Sequence, residues 1–339
     1  MGSVLVVNAG SESLKLSVVG PDETATKLDS LAAAPDDVVA VAHRVVHGGP
    51  RFLEPVLIDD AVESDLAGVA ELAPLHNTPA LAAIREARKL FPELLPHVAV
   101  FDSAFHATIP DEASTYALPA QLREWGIRRY GFHGLSIQWA SAQMPASRLV
   151  VCHLGGGCSV TAVRDGRSID TTMGFTPLEG VPMATRPGSV DPGALVYLLR
   201  HHLTLESLDD ALEHESGLAG LSGLSGDVRE LEGSTDPAAR LALDVFSYRI
   251  AAAVGAMAVA LGGLEALVFT AGIGEHSANV RASVCERLGF LGVELDPQAN
   301  ASAGCDATIS PSGGAVRIVV LEAREDLVAA RAARQLLEI

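Results

Sequence analysis

The chain has 339 residues, of which 48% are hydrophobic, enough to bury a large core and to divide into two domains. Its formal net charge of -18 and sequence pI of about 4.9 exclude general binding to nucleic acid or to an anionic membrane, both of which need a positive surface. Lys15, Lys27 and Lys89 are the only lysines, so an anionic ligand must be met mainly by arginine, with its planar two-pronged contacts.

In chain order, Val4 to Val7 and Leu14 to Val19 read as a hairpin bent at Gly10, Ser11 and Ser13. A polar segment from Gly20 to Asp37 follows, then a strand from Val38 to Val46 that leads into HRVVHGGPRF. Helical spacing covers Val62 to Leu72 and Thr78 to Leu90, with APLHNTP as a turn between them. The strand Val98 to Phe101 ends in Asp102, and RRYGFHGLS, Arg128 to Ser136, opens a helix.

The second half begins at LVVCHLGGGCSVTAV, Leu149 to Val163, a strand that breaks into Gly155, Gly156 and Gly157 before a second strand. Such a bend presents bare backbone N–H groups, the usual cradle for phosphate. The stretch from Gly174 to Pro192 is too rich in Gly and Pro for a regular element and reads as a functional loop. Helices follow from Gly193 to Leu261, and the Ala-rich run Ile250 to Leu261 is expected to be a buried helix, being too short for a membrane span. LVFTAGIGEHS, Leu267 to Ser277, repeats the strand-and-glycine pattern in altered form; a last strand, Val316 to Leu321, feeds the helix Asp326 to Leu337. Two matching strand-turn-strand units predict an internally duplicated α/β fold, with phosphates in the cleft between its halves. Cys152, Cys158, Cys285 and Cys305 lack metal-type spacing and read as core or near-core thiols of a reducing, cytoplasmic compartment. The N-terminus enters a strand with no leader-like segment, so export is not expected.

Several side chains are candidates for chemistry. Arg44 stands between His43 and His47 at a strand end, and Arg186 lies in the Gly/Pro loop; each alone would be read as a surface ion pair. His133 alone would be a hydrogen-bonded structural residue. Asp102 can hold a metal or cap the helix beyond it, and Glu275 can contact a ribose or cap the next helix.

Taken together, NAGSESLK (Asn8 to Lys15), HRVVHGG (His43 to Gly49), APLHN (Ala73 to Asn77), FDSAFH (Phe101 to His106), RRYGFHG (Arg128 to Gly134), HLGGG (His153 to Gly157), MGFTPLEG and MATRPG (Met173 to Gly188) and FTAGIGE (Phe269 to Glu275) resemble the acetokinase family along nearly the whole chain. The family is a branch of the superfamily of sugar kinases, Hsp70 ATPases and actin. The resemblance implies a duplicated ribonuclease-H-like fold of two α/β domains with an interdomain cleft. One domain would span 1–147, completed by the C-terminal helix 322–339, and the nucleotide-binding domain would span 148–321. It further implies a homodimer, ATP/ADP as co-substrate, Mg2+ (or Mn2+) as cofactor, and reversible, direct in-line transfer of the γ-phosphate to acetate, giving acetyl phosphate.

By the same resemblance, Arg44, His133, Arg186 and Asp102 serve catalysis. Ser11, Ser13, Lys15, His153, Gly155, Gly156 and Gly157 hold phosphates, and Gly272, Ile273, Gly274 and Glu275 hold the adenosine. Arg44, Val46, Leu75, Phe132 and Pro177 form the acyl site, while Asn8 and Glu325, with Asp102, hold or orient the metal. A carboxylic acid is ionised at neutral pH, so its attack needs no general base; what the reaction needs is relief of repulsion between two anions. Replacing Arg44 or Arg186 by alanine is therefore expected to lower turnover and to leave the fold intact.

The chain departs from the family pattern at Gly156, where asparagine is usual; at His276, where asparagine commonly follows the glutamate; at EAREDL, Glu322 to Leu327; and in a shorter segment between Val19 and His43. The alternatives are a kinase of propionate or another short acid, a pyrophosphate-dependent acetate kinase, or a nucleotide-dependent regulatory module of the Hsp70-like kind.

Overall fold

The computed structural model describes residues 2–10, 14–92 and 94–339. Two sheets of six strands organise it. In the first, β1 (Ser3–Ala9) pairs antiparallel with β2 (Leu14–Val19), and β2 with β3 (Ala25–Leu28); β1 also runs parallel to β4 (Val38–Val45), and β4 parallel to β6 (His97–Phe101), whose far side takes the short antiparallel β5 (Val56–Leu57). The second sheet repeats every step. There β7 (Leu149–Leu154), β8 (Cys158–Arg164) and β9 (Arg167–Thr171) form the antiparallel part, β10 (Ala266–Thr270) and β12 (Arg317–Val320) the parallel part, and β11 (Ala307–Thr308) the antiparallel edge. The orders β3-β2-β1-β4-β6-β5 and β9-β8-β7-β10-β12-β11 are the same path drawn twice.

The central strands are buried on both faces, as continuous apolar runs such as LVVCHL and ALVFT require. A large cluster fills the second half and takes in Val46, Tyr130 and Phe132 from the first. The chain's last helix, Glu325–Leu337, crosses back: Leu327, Val328, Ala330 and Ala333 pack with Val4, Val6, Ala42 and Val98 of the first sheet.

Four details differ from the sequence reading. APLHNTP forms the first turns of the helix Pro74–Leu90, where Asn77 exchanges hydrogen bonds with the backbone of His47, 2.8 Å to its carbonyl and 3.0 Å from its N–H. The third glycine element is a strand followed by a helix, Ala271–His276, entered through Ala271 at a φ of 64°. The polar segment before β4 contains the edge strand β3. Cys305 is exposed, whereas Cys152, Cys158 and Cys285 are buried free thiols. The Ala-rich run belongs to a longer helix, Pro237–Leu261, which by length and composition alone could cross a membrane; its Phe246, Ile250, Val254 and Leu261 are packed in the second core.

Candidate active site

Parallel strands bring their carboxyl ends to one edge, where open α/β sheets bind ligands. Register alone sets Asn8 of β1 beside Arg44 of β4. Arg44 Nε donates to Asp102 Oδ1 and Oδ2 at 3.0 and 3.1 Å, its Nη2 reaches Oδ2 at 2.5 Å, and its Nη1 donates to Asn8 Oδ1 at 3.0 Å. Asn8 Nδ2 in turn donates to Glu325 Oε2 at 3.1 Å, and that oxygen lies 3.7 Å from Arg44 Nε. Asp102 is fully buried. Burial pushes its carboxyl up, while Arg44 and the His133 backbone N–H pull it back. Burial also opposes the charge on Glu325, but Arg44, His153 and Lys15 hold its carboxyl below the usual range. Asp102 is the first residue of its helix, whose N-cap is Phe101, and its carboxylate is turned to Arg44.

Beside Asp102, His133 occupies the left-handed region at a φ of 61° and opens the helix Gly134–Gln143. Gly134 is required there, because a Cβ would overlap the Asp102 carbonyl and come within 2.9 Å of Phe105 Cβ. His106 steadies the approach, with Nε2 2.9 Å from the Phe132 carbonyl and Nδ1 2.8 Å from Ser168 Oγ. The His133 ring stacks on His153 at 4.0 Å; its Nδ1 lies 3.0 Å from Ser159 Oγ, and His153 Nδ1 lies 2.8 Å from Ser136 Oγ. If Ser159 donates to Nδ1, the proton of a neutral His133 is on Nε2, the nitrogen that faces the second glycine turn. A Cβ placed on Gly157 would lie 2.9 Å from Arg186 Nη2 and 3.1 Å from His133 Nε2, so both groups aim at one point above that turn. Arg186 Nη1 donates to the Pro177 carbonyl at 3.0 Å. Both guanidiniums act, after burial, to depress His133 and His76.

The remaining expected positions fall out unevenly. Lys15 is exposed at the start of β2, and its charge reaches His153 and Glu325. Ser11 and Ser13 lie outside the described residues. Gly155 N–H closes the second turn on the Gly157 carbonyl at 3.0 Å, and a Cβ on Gly155 would lie 3.5 Å from Ala271 Cβ, so the second and third turns are neighbours. Gly156 and Gly272 face open space; Ile273 leans on the second core and Gly274 is buried. Glu275 caps nothing, since Ser277 caps the next helix. Instead Glu275 Oε1 accepts from the Ala323 N–H at 2.9 Å, tying the third turn to the segment that carries Glu325. Val46 and Phe132 share one core cluster, Pro177 is buried beside Arg186, and Leu75 is more exposed, one residue before His76. His76, Asn77, Ser136, Ser159 and the fully buried Arg281, whose Nη1 donates to the Gly274 and Glu275 carbonyls at 2.9 Å each, complete the setting.

Arg44 departs from the expectation that its loss would spare the fold, because it is the counter-ion of a buried carboxylate.

The acetokinase family model matches residues 25–331. The chain belongs to the acetokinase family. An acetate kinase of Deinococcus deserti is 52% identical over 318 residues, covering 89% of this chain and 79% of the relative. Among solved structures, a propionate kinase from Francisella tularensis superposes with a TM-score of 0.90 at 34% identity, covering 98% of this chain and 99% of that one. An acetate kinase from Porphyromonas gingivalis does so with a TM-score of 0.87 at 31% identity, covering 99% and 100%. The duplicated sheets described above are thus the two-domain acetokinase fold, and Arg44, Arg186, His133, Asp102, Glu325 and the turn Gly155 to Gly157 are brought together in it.

Burial lowers His47, His76, His97, His106 and His153 to about 4. Unfolded histidine titrates near pH 6.5, so between about 6.5 and 4 the unfolded chain binds more protons and stability falls as pH falls. Each group contributes up to about 1.4 kcal/mol per pH unit in that window. Urea midpoints should therefore drop steeply from pH 7.5 to 5; a flat profile would contradict their burial as neutral rings.

Proposed function

We propose that the chain is an acetate kinase, which passes the γ-phosphoryl group of ATP directly to acetate and runs the reverse reaction through the same site. The observation that carries this reading is the convergence of His133 Nε2 and Arg186 Nη2 above Gly157, with the Arg44 charge acting on the same histidine. Acetate arrives as an anion and needs no base; Asp102 has both oxygens on Arg44 and keeps that guanidinium fixed. Arg44 and Arg186 offset the repulsion between carboxylate and phosphate, and the His133 Nε2–H donates to a phosphoryl oxygen as charge builds there. Backbone N–H groups of the second glycine turn other than that of Gly155, which is closed on the Gly157 carbonyl, hold the other phosphates. An Hsp70-like module has no use for a second anion site of this kind. Purified protein given acetate, ATP and hydroxylamine should yield acetyl hydroxamate; ADP release without it would overturn the reading.

Among the described residues no three His, Cys, Asp or Glu side chains gather to cage a metal. Magnesium does not require that, since it commonly takes one or two carboxylates together with ligand phosphates and water. Asp102, Glu325 and the Asn8 amide supply hard oxygen donors around the Arg44 guanidinium, a donor set of the kind magnesium takes, and they would hold it with their remaining lone pairs. Bound there, Mg2+ or Mn2+ would neutralise charge on the ATP phosphates. Activity should vanish in EDTA, and Asp102→Asn should raise the Mg2+ concentration needed for half-maximal rate; full activity in EDTA would contradict the assignment.

Val46 and Phe132 pack in one cluster, which supports a small acyl pocket and a preference for acetate over propionate, the acid named for one of the structural neighbours. One methylene is worth about 1 to 3 kcal/mol in such a pocket. Val46→Ala should shift the ratio of kcat/KM values toward propionate, and an unchanged ratio would remove Val46 from the pocket. Gly156 leaves open space at the phosphate turn, so pyrophosphate belongs in the donor panel beside ATP.

The last helix packs on the first sheet, which supports a domain of 1–147 completed by 322–339 and a second of 148–321. Exposed Val196, Tyr197 and Leu199 on the helix Pro192–His201 offer a surface for a second copy; light scattering should give the mass of a homodimer rather than a monomer. Buried free thiols and the acidic charge fit a cytoplasmic enzyme.

A further inference from the structure

The segment from Gly174 to Ser189 carries Pro177 and Arg186 yet contains no helix or strand, so its shape must be imposed by its contacts. A polar cluster imposes it at the seam between the two halves. Glu179 Oε1 accepts from Arg129 Nη2 at 2.7 Å, and Glu179 Oε2 accepts from the Tyr116 hydroxyl, which itself accepts from the Phe175 N–H at 3.0 Å. The other arm of Arg129 donates to the carbonyls of Thr171, Thr172 and Met173 at 2.9, 2.9 and 3.0 Å. Tyr116 and Arg129 come from the first half of the chain, and all their partners here come from the second.

Gly174 sits at the centre. Any Cβ there would overlap Glu179 Oε2 and Tyr116 Oη, and its carbonyl accepts from the N–H groups of Tyr130 and Gly131 at 3.0 and 3.3 Å, directly ahead of Phe132 and His133. Two residues before Glu179, the Pro177 carbonyl accepts from Arg186 Nη1 at 3.0 Å. Downstream, Gly180 and Ser189 pin the ends of the Arg186 loop, with the Ser189 N–H 2.9 Å from the Gly180 carbonyl.

We propose that Glu179 is a positioning residue for phosphoryl transfer: clamped by Tyr116 and Arg129 across the seam, it fixes Pro177 and, through the Pro177 carbonyl, the guanidinium of Arg186. The same cluster fixes the approach of His133 through Gly174. A carboxylate held by charge-assisted bonds on both oxygens is stiff, and a misplacement of about 1 Å at a reacting group costs about 10²-fold in rate. Glu179 touches neither substrate; it acts through Arg186. The inference rests on the acetate kinase reading of the cleft.

The test measures kcat and both KM values for Glu179→Ala, Glu179→Gln and Tyr116→Phe beside the unmodified protein, with melting temperatures for all four. Glu179→Ala should lower kcat/KM for acetate by about 10²-fold through both kcat and KM, with KM for ATP unchanged, because the nucleotide turns lie on β7 and β10. Glu179→Gln, which keeps an acceptor for Arg129, should recover part of that loss, and Tyr116→Phe should fall between. Unchanged acetate constants would overturn the proposal, as would a fall in kcat alone that tracks the melting temperatures. Should Glu179→Ala not fold, the other two variants decide by the same criteria. Failure of the unmodified protein to form acetyl phosphate would remove the site reading itself, whereas normal turnover in every variant would remove only Glu179.

Discussion

Arg44→Ala is expected to lose turnover and stability together. Its guanidinium neutralises a fully buried Asp102 and lies within 3.7 Å of Glu325; removing one partner of a buried pair costs about 3 to 5 kcal/mol, because the other charge is left unpaired. In the proposed reaction the same substitution takes a cation from the point where carboxylate and phosphate approach, worth about 2.7 to 4 kcal/mol of transition-state stabilisation. The two losses separate in a double variant. Arg44→Ala with Asp102→Ala removes both members of the pair and should recover part of the urea midpoint lost by Arg44→Ala alone, with no recovery of turnover. Recovery of turnover along with stability would mean that Arg44 serves the fold only.

The second large effect is expected at Arg186. Its Nη2 and His133 Nε2 converge above Gly157, where a developing negative charge would meet both, so Arg186→Ala should lower kcat by about 10² to 10³-fold. Arg186→Lys should not restore it, because a point charge cannot both hold the Pro177 carbonyl and reach the turn. Near-normal kcat in either variant would take Arg186 out of the transfer step. Gly157→Ala offers a steric counterpart, since its methyl would occupy the space the two donors share.

Much of this site was legible because its residues sit at strand ends and in glycine turns, where pattern and chemistry coincide. The apolar runs before Asn8, before Asp102 and before Gly155 mark three strands, and each leaves the residue that matters at the carboxyl end of its strand. The duplication was readable from the two hairpins for the same reason. Harder to read were partners whose role depends on contacts distant in sequence. Ser159 is one more small residue on a buried strand until His133 folds over it, and Asn77 belongs to a segment whose prolines suggest a turn although it is helical. Glu275 has the composition of a ribose contact or a cap, but its oxygen accepts from Ala323, which lies 48 residues further on. Edge strands such as β3 and β5 are short and partly exposed, so they carry too little apolar alternation to stand out. Cys305 differs from the other thiols only in exposure, which sequence spacing does not encode.

In the proposed reaction ATP gives its phosphoryl group directly to a carboxylate, and Asp102 and Glu325, held by Arg44 and Asn8, carry no phosphoryl group. The most direct measurement uses ATP made chiral at its γ-phosphorus with oxygen isotopes and reads the configuration of the acetyl phosphate formed. A single in-line displacement inverts the configuration, and inversion is the result expected here. Retention would require two displacements through a phosphorylated side chain and would contradict direct transfer.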